Sequence, residues 1–321
     1  MMTSCEQSIL GALAYADLFD VPLTQEEIWR NLFFPIQKNI TFFDVIDAVE
    51  HSNILSHFIE SHGGFYFLKG RKDIVATRLE RYDIAKRKYD SARKVIRMLA
   101  RIPFMRFIGI CNTLGWSNAK DESDIDLFII VEHQHLWLTR SLCASLMQMY
   151  GLRPTKQKMK DAICLSFFIS DTALDVSPLF LQESHGMSDI YFLYWLLYCV
   201  PIYDSGDMYE KFWKANEVRI YSVLPYATPY NTNEYRRVGI GRVYRTVKYM
   251  CEQWIRLFGN ISERVARWIQ IRVLPQELRN VLNKDTRVVM NDSVMKFHPN
   301  DRREEIRERF WKKLQELGMG K

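Results

Sequence analysis

Two carboxylates one residue apart at the head of an apolar run are the part of this sequence best suited to chemistry: Asp124 and Asp126 in SDIDLFIIV. On an extended strand alternate side chains leave the same face, so these two carboxylates point together while Ile125 and Leu127 point the other way. Two hard oxygen ligands on one face suit Mg²⁺ or Mn²⁺, which also accept water and substrate phosphate oxygens. Such ions activate an attacking oxygen and neutralise a leaving phosphate. An Asp-x-Asp pair also occurs as ordinary surface charge; what distinguishes this one is the LFIIV that follows at once. Charges at the mouth of a strand bound for the interior are costly unless solvent, hydrogen bonds or a cation compensate them.

The stretch ICNTLGWSNAKDESDIDLFIIV carries a second signal, a turn ahead of the acidic strand. Together they resemble the DNA polymerase beta-like nucleotidyltransferase superfamily, in which a Gly-Ser turn precedes a strand bearing Asp-x-Asp. Thr113 stands at the serine position, Asp124 and Asp126 at the first two metal-ligand positions, and Asn112 where glycine is usual. Asn tolerates the left-handed backbone better than most residues, so the turn is expected to survive. In longer context LFDVPLTQEEIW, GFYFLKG, SDIDLFII, LWLTR and CLSFF, followed by an aromatic region, are similar to a group of predicted nucleotidyltransferases with an N-terminal winged-helix-like segment.

The resemblance implies a small mixed sheet backed by helices, a nucleoside triphosphate (ATP by default) held with Mg²⁺ or Mn²⁺, and transfer of a nucleoside monophosphate to a small-molecule, nucleic-acid or protein acceptor. Asn112, Thr113 and backbone donors such as that of Leu114 would then contact phosphate, with Arg140 as a phosphate-facing cation or the partner of a structural acid. A third carboxylate is expected from a later strand. Asp161 is the candidate by order, although Ser166 stands nearer the aligned strand position and Asp161 also suits a cap or flank of the strand. Lys156, Lys158 and Lys160 precede the same strand. Without the third acid, the same scaffold would serve as a catalytically weakened nucleotide-binding regulatory protein.

Positioning these groups requires strands, and FMRFIGIC, IDLFIIV and ICLSFFIS supply them, with a helix around 136–149 between the last two. The fold class expected is α+β: a catalytic core of nucleotidyltransferase type over 103–172, a winged-helix-like domain over 1–82, a helical connector over 83–102 and a mostly helical region over 173–321. In the first domain, helices are predicted over 8–18, from the Thr24/Glu27 capping box, and over 40–54. Extended segments at 54–59 and 65–69 flank Gly63 and Gly64 as a wing. Asp44, Asp47 and Glu50 make the third helix acidic beside any DNA phosphate, so DNA contact and a structural role both stay open.

In the connector, Lys86, Arg87, Lys88, Arg93, Lys94 and Arg97 read as a solvated face or a nucleic-acid stripe. Residues 190–203 (IYFLYWLLYCVPIY) are broken by Pro201, too short to cross a bilayer, and read as a core helix or, through their aromatic richness, as a partner surface. In YRRVGIGRVYRTVKYM, basic and aromatic residues interleave as on a surface that holds a phosphate backbone and stacks a base, but the reading favoured puts Tyr244, Val247 and Met250 inward and Arg236, Arg237 and Lys248 toward water. The tail predicts an amphipathic helix with Ile306, Phe310 and Leu314 inward, and Asn216 reads as a cap or local hydrogen bonder.

A chain of 321 residues can bury a substantial core, and 48% hydrophobic with 26% charged residues describes a folded protein. The net charge of +6 suits phosphate-bearing partners and equally plain solubility. Six scattered cysteines without CxxC spacing read as buried thiols, and MMTSCEQS lacks the marks of a signal peptide. A cytoplasmic location without membrane contact is the resulting expectation. Neither GxxxxGK nor GxGxxG occurs, which argues against a Walker ATPase or Rossmann oxidoreductase. Seven histidines, His51, His57, His62, His133, His135, His185 and His298, define no zinc pattern. Oligomeric state is not legible.

Overall fold

The computed structural model describes residues 2–33, 39–153, 159–184, 186, 188–257 and 261–319; Lys156, Lys158 and His185 lie outside them. The chain opens with helices Ser4–Asp17, Gln25–Arg30 and Phe42–His51, each entered through a capping box in which Thr3, Thr24 or Thr41 exchanges hydrogen bonds with an acid three residues on. Strands β1 (Ile59–His62) and β2 (Phe65–Leu68) follow as an antiparallel hairpin. Its two-residue turn needs positive φ at both positions, which Gly63 (60°) and Gly64 (82°) supply. The hairpin therefore begins later than the expected 54–59, because residues 55–57 close into a helical turn after Ser52 ends the third helix. That third helix exposes Asp44, Asp47 and Glu50.

One helix, Asp73–Leu99, runs across the boundary expected at 82 and joins this module to the rest. Its Lys88 is not solvated. The ammonium is wholly buried and donates to the carbonyls of Asp121 and Ser123 and to the Asp161 carboxylate. Three fixed oxygens replace the water that a lysine otherwise keeps.

The second sheet has six strands: β3 (Met105–Ile110), β4 (Ile125–Val131), β5 (Ile163–Ser170), β6 (Val200–Asp204), β7 (Val288–Met290) and β8 (Val294–Phe297). Their order is β6-β3-β4-β5-β8-β7, with β4 and β5 parallel and every other pair antiparallel. Three of the six strands thus come from beyond residue 172, from a region expected to be mostly helical. The segment 190–203 divides into helix Ile190–Leu197 and edge strand β6, where Pro201 is tolerated because an edge strand leaves one row of N–H groups unpaired.

Both faces of the sheet are covered, which is why β4 reads as a continuous apolar run rather than an alternation. Leu127, Ile129 and Val131 join one core with helices Asp73–Leu99 and Leu136–Met149. Phe128 and Ile130 join the other, with helices Ile190–Leu197, Met208–Tyr221 and Arg303–Glu316. In the last of these, Ile306, Phe310 and Leu314 face inward as the spacing predicts. Asn216 is buried in its helix, donating to the Leu174 and Phe212 carbonyls and accepting from the Val176 N–H. The N-terminal module is fused to this second core by Tyr15, whose ring stacks on Tyr194 at 3.9 Å and meets Phe310 edge-on.

The helix Arg242–Leu257 reverses the orientation read from its sequence. Tyr244, Val247 and Met250 are exposed while Lys248 is buried. The ammonium of Lys248 donates to the carbonyls of Ala100 and Met105, and Glu252 accepts from the Phe104 N–H and from Arg106. The polar side docks because it meets these backbone groups. Of the six cysteines, all unpaired, Cys111, Cys143 and Cys199 are buried as expected, whereas Cys251 is exposed.

Candidate active site

At the end of β3 the chain reverses through Asn112, whose φ of 58° is the left-handed geometry expected of it. The short helical turn Asn112–Gly115 follows. Asn112 does more than turn: its Nδ2 donates to Asp126 Oδ2 at 2.7 Å, and its Oδ1 accepts from the Tyr191 hydroxyl at 3.4 Å. Gly115 lets the turn nest under the backbone of residue 198, since a Cβ there would lie 2.1 Å from the Tyr198 carbonyl oxygen. Backbone cannot give way as a flexible side chain can. Gly115→Ala is therefore expected to cost at least about 2–3 kcal/mol in urea unfolding and to displace Asn112 and Thr113; an unchanged midpoint would contradict this reading of the turn.

Asp126 opens β4 beside Ile125, with Asp124 just before it, and β5 lies alongside in parallel register with Cys164 opposite Asp126. Pairing in register brings side chains of adjacent strands to one face. Accordingly, ligand atoms of Asp124, Asp126 and Cys164 all lie within 4.8 Å of one another, each side chain partly buried. Burial and then the neighbouring Asp124 charge push the Asp126 carboxyl up to about 6, against the opposing hydrogen bonds from Asn112 and the Cys164 thiol. Asp124 is raised too, chiefly by burial. Cys164 is driven well above the ordinary thiol value by burial and by the Asp126 charge, so it stays a neutral S–H group.

Asp161 is not in this group. It precedes β5 at a positive φ of 57°, and its carboxylate is held by Arg87 and, at 2.8 Å, by Lys88, which keep it below the usual carboxylate value against the effect of burial. It anchors the long helix to the strand bases. Ser166, the other position weighed for the third acid, hydrogen-bonds the His298 Nε2 at 3.1 Å. Lys160 pairs with Asp121. Leu114 has its side chain buried and its carbonyl accepting from the Tyr89 hydroxyl. Arg140 lies elsewhere, donating to Gln270 at 2.5 Å with its guanidinium 4.5 Å from the centre of the Phe297 ring. His133 and His135 follow the far end of β4, away from Asp124.

Beside the carboxylates opens a cleft of about 550 Å³, bordered by Asn112, Thr113 and Ser123, by Arg81 and Lys120, and by Tyr191, Phe192 and Trp195. The rest is lined by Leu18, Phe19 and Asp20 of the N-terminal module, by Phe167, and by the chain from Lys296 to Arg309, including His298, Asp301, Arg302 and Arg303. His298 is held neutral by burial, its value pulled down to about 4. The volume is ordinary for a small-molecule site and the rim is strongly cationic. Sequence reasoning missed the Cys164 position and the tail's place at the cleft. Cys164 was legible only through the register of β5 on β4, and nothing in the local pattern of the tail announces that it closes a wall more than a hundred residues away.

The arrangement offers two ionisable carboxylates to a cation, a left-handed turn beside them and an adjoining cationic, aromatic-walled cleft. Comparison of the chain with protein-family models, with curated proteins and with solved structures gives no match, so the chemistry of the site rests on its own residues.

Proposed function

We propose that this chain is a divalent-cation-dependent nucleotidyltransferase that takes a nucleoside triphosphate, with ATP the first to test, and transfers its nucleoside monophosphate to an acceptor. The observation that carries the reading is the convergence of Asp124 and Asp126 beside the Asn112–Thr113 turn, at the edge of the cationic cleft. Two raised, like-charged carboxylates among the described residues, neither in an ion pair, fit a hard divalent cation, which asks for one or two carboxylates and completes its shell with water and phosphate oxygens. A protonated thiol at the third position fits it less well, since soft sulfur prefers softer metals. When bound, the cation supplies charge neutralisation to the phosphates. Lys120 extends that neutralisation along the cleft, where Arg81 and Arg302 are paired with Asp20 and Glu305, and Tyr191 lines it with an aromatic ring suited to a base. Calorimetric titration with each nucleoside triphosphate and Mg²⁺ or Mn²⁺, followed by pyrophosphate release over a broad acceptor set, tests the reading. Binding of none of them would remove it.

A second reading, a catalytically weakened nucleotide-binding regulator, is favoured by two features of the same site: the third group beside Asp124 and Asp126 is the thiol of Cys164 and not a carboxylate, and the Asn112 amide occupies one oxygen of Asp126. Nucleotide binding without pyrophosphate release would select it. Duplex reading by the N-terminal module is the weakest alternative, because exposed Asp44, Asp47 and Glu50 would face phosphate.

The charge arrangement makes a pH prediction for the cation-free protein. Asp126 has a folded value near 6, above its ordinary 3.8, so its contribution to stability is complete below about pH 3.8 and is lost as pH rises through 6. Stability of wild type in a chelator is expected to fall relative to Asp126→Asn between pH 4 and pH 7, by on the order of 1–3 kcal/mol in urea titrations. Parallel pH profiles for the two proteins would show that the carboxylates do not oppose one another.

A further inference from the structure

Two consecutive helices, Arg242–Leu257 and Ile261–Val273, are mounted with their polar sides on the protein and their apolar sides toward solvent. In the first, Val243, Val247, Met250, Trp254 and Leu257 recur every three or four residues and are 51–81% exposed. In the second, Ile261, Val265, Trp268, Ile269 and Val273 are 45–69% exposed. An amphipathic helix ordinarily turns such a stripe to the core. Here the inward positions are Lys248 and Glu252 in one helix and Glu263, Ala266 and Gln270 in the other, each polar group bonded to the protein: Glu263, for example, accepts the N–H groups of Trp137 and Leu138. The orientation is thus fixed by hydrogen bonds, and the stripes are left facing out.

Arg256 and Arg267 pair with Glu132 and Asp292, and the charges left unpaired around the stripes have one sign. Both acids of the two helices, Glu252 and Glu263, are engaged inward, whereas Arg242, Arg245, Arg264 and Arg272 are exposed with no carboxylate partner among the described residues. Arg272 lies over the Trp268 ring at 3.8 Å. A groove of about 760 Å³ continues from the second stripe, walled by Val265, Ile269 and Val273 and containing Arg140 and Arg153. Arg140 is half-buried there without a carboxylate partner among the described residues, and its shielded Nε has no hydrogen bond.

We infer that this pair of helices rests on the surface of an anionic phospholipid bilayer, apolar stripes among the acyl chains and arginines among the phosphates. Apolar and tryptophan side chains flanked by basic residues are what an interfacial helix requires, and unpaired arginines add attraction to anionic headgroups. A second copy of this chain is disfavoured by the same charges, since arginines would oppose arginines with none of the acidic flanking positions that pair coiled-coil helices. No helix of the described residues is long and apolar enough to cross a membrane, so the attachment is peripheral. It departs from the expectation of no membrane contact, and it does not depend on the transferase reading.

The test is flotation of the full chain with phosphatidylcholine vesicles and with vesicles containing phosphatidylglycerol, read together with tryptophan emission. Binding to the anionic vesicles is expected to exceed that to neutral ones by on the order of a hundredfold, to weaken with added salt, and to shift the emission to the blue. Trp254→Asp with Trp268→Asp should abolish it. Arg264→Gln with Arg272→Gln should reduce it at least about tenfold; circular dichroism would verify that both remain folded, as exposed positions allow. Absence of binding to anionic vesicles at low salt overturns the inference. A dimer in light scattering that these variants dissociate, with vesicles ignored, overturns it in favour of a second copy.

Discussion

Asp124→Asn and Asp126→Asn are expected each to eliminate measurable divalent-cation binding and to lower nucleotidyl transfer by at least about a hundredfold, while leaving the thermal midpoint unchanged or higher. Both halves follow from the same electrostatics. The two carboxylates are partly buried together and are each raised, Asp126 to about 6, so without a cation they repel. Asn keeps the shape and removes the charge: the fold is relieved and the cation loses its counter-charge. At Asp126 the amide also competes for the Asn112 Nδ2 contact, so Asp124→Asn is the cleaner variant. Asp161→Asn should behave in the opposite way, losing stability through its contacts with Arg87 and Lys88 while retaining cation affinity. Calorimetry with Mn²⁺, pyrophosphate release and thermal unfolding read the three variants. Transfer that persists in the double Asp124/Asp126 variant would sink the mechanism.

Arg303→Met should cost about 3–5 kcal/mol of folding stability, the largest stability effect expected of a single side chain. The guanidinium is 3% exposed and joins four parts of the chain: it donates to Asp189, to Asp301, to the Leu179 carbonyl and to the Thr286 hydroxyl. Asp189 is itself 1% exposed and caps the helix Ile190–Leu197 by accepting the Phe192 N–H, as well as that of Leu181. Removing the arginine leaves this carboxylate buried without a counter-charge. Arg303→Met combined with Asp189→Asn should recover part of the loss, because breaking a buried pair costs more than replacing it. Since Arg303 lines the cleft, nucleotide affinity should fall with the single variant as well. Urea unfolding measures the first effect, and a loss under about 1 kcal/mol would mean that Asp189 finds another partner or becomes hydrated.

What the sequence by itself determined was local. The i, i+2 spacing of Asp124 and Asp126 put them on one face, the glycines at 63 and 64 made the hairpin turn, the Thr24/Glu27 spacing capped its helix, and Asn112 took the left-handed turn. These follow from backbone geometry within a few residues. What the tertiary structure decided was which groups met across distance. The thiol of Cys164 reached the carboxylates through strand register, Asp161 was drawn to Lys88, and Arg140 went to a different groove. Strands β6 and β8 became strands because the edges of β3 and β5 were open to them, and β7 because β8 then offered its own edge, although 190–203 carries no period that distinguishes strand from buried helix. Lys248 went inward and its apolar neighbours outward because the carbonyls of Ala100 and Met105 waited at its docking site. Periodicity reports which side of a helix is apolar; only the atoms on the opposing surface decide which side it presents.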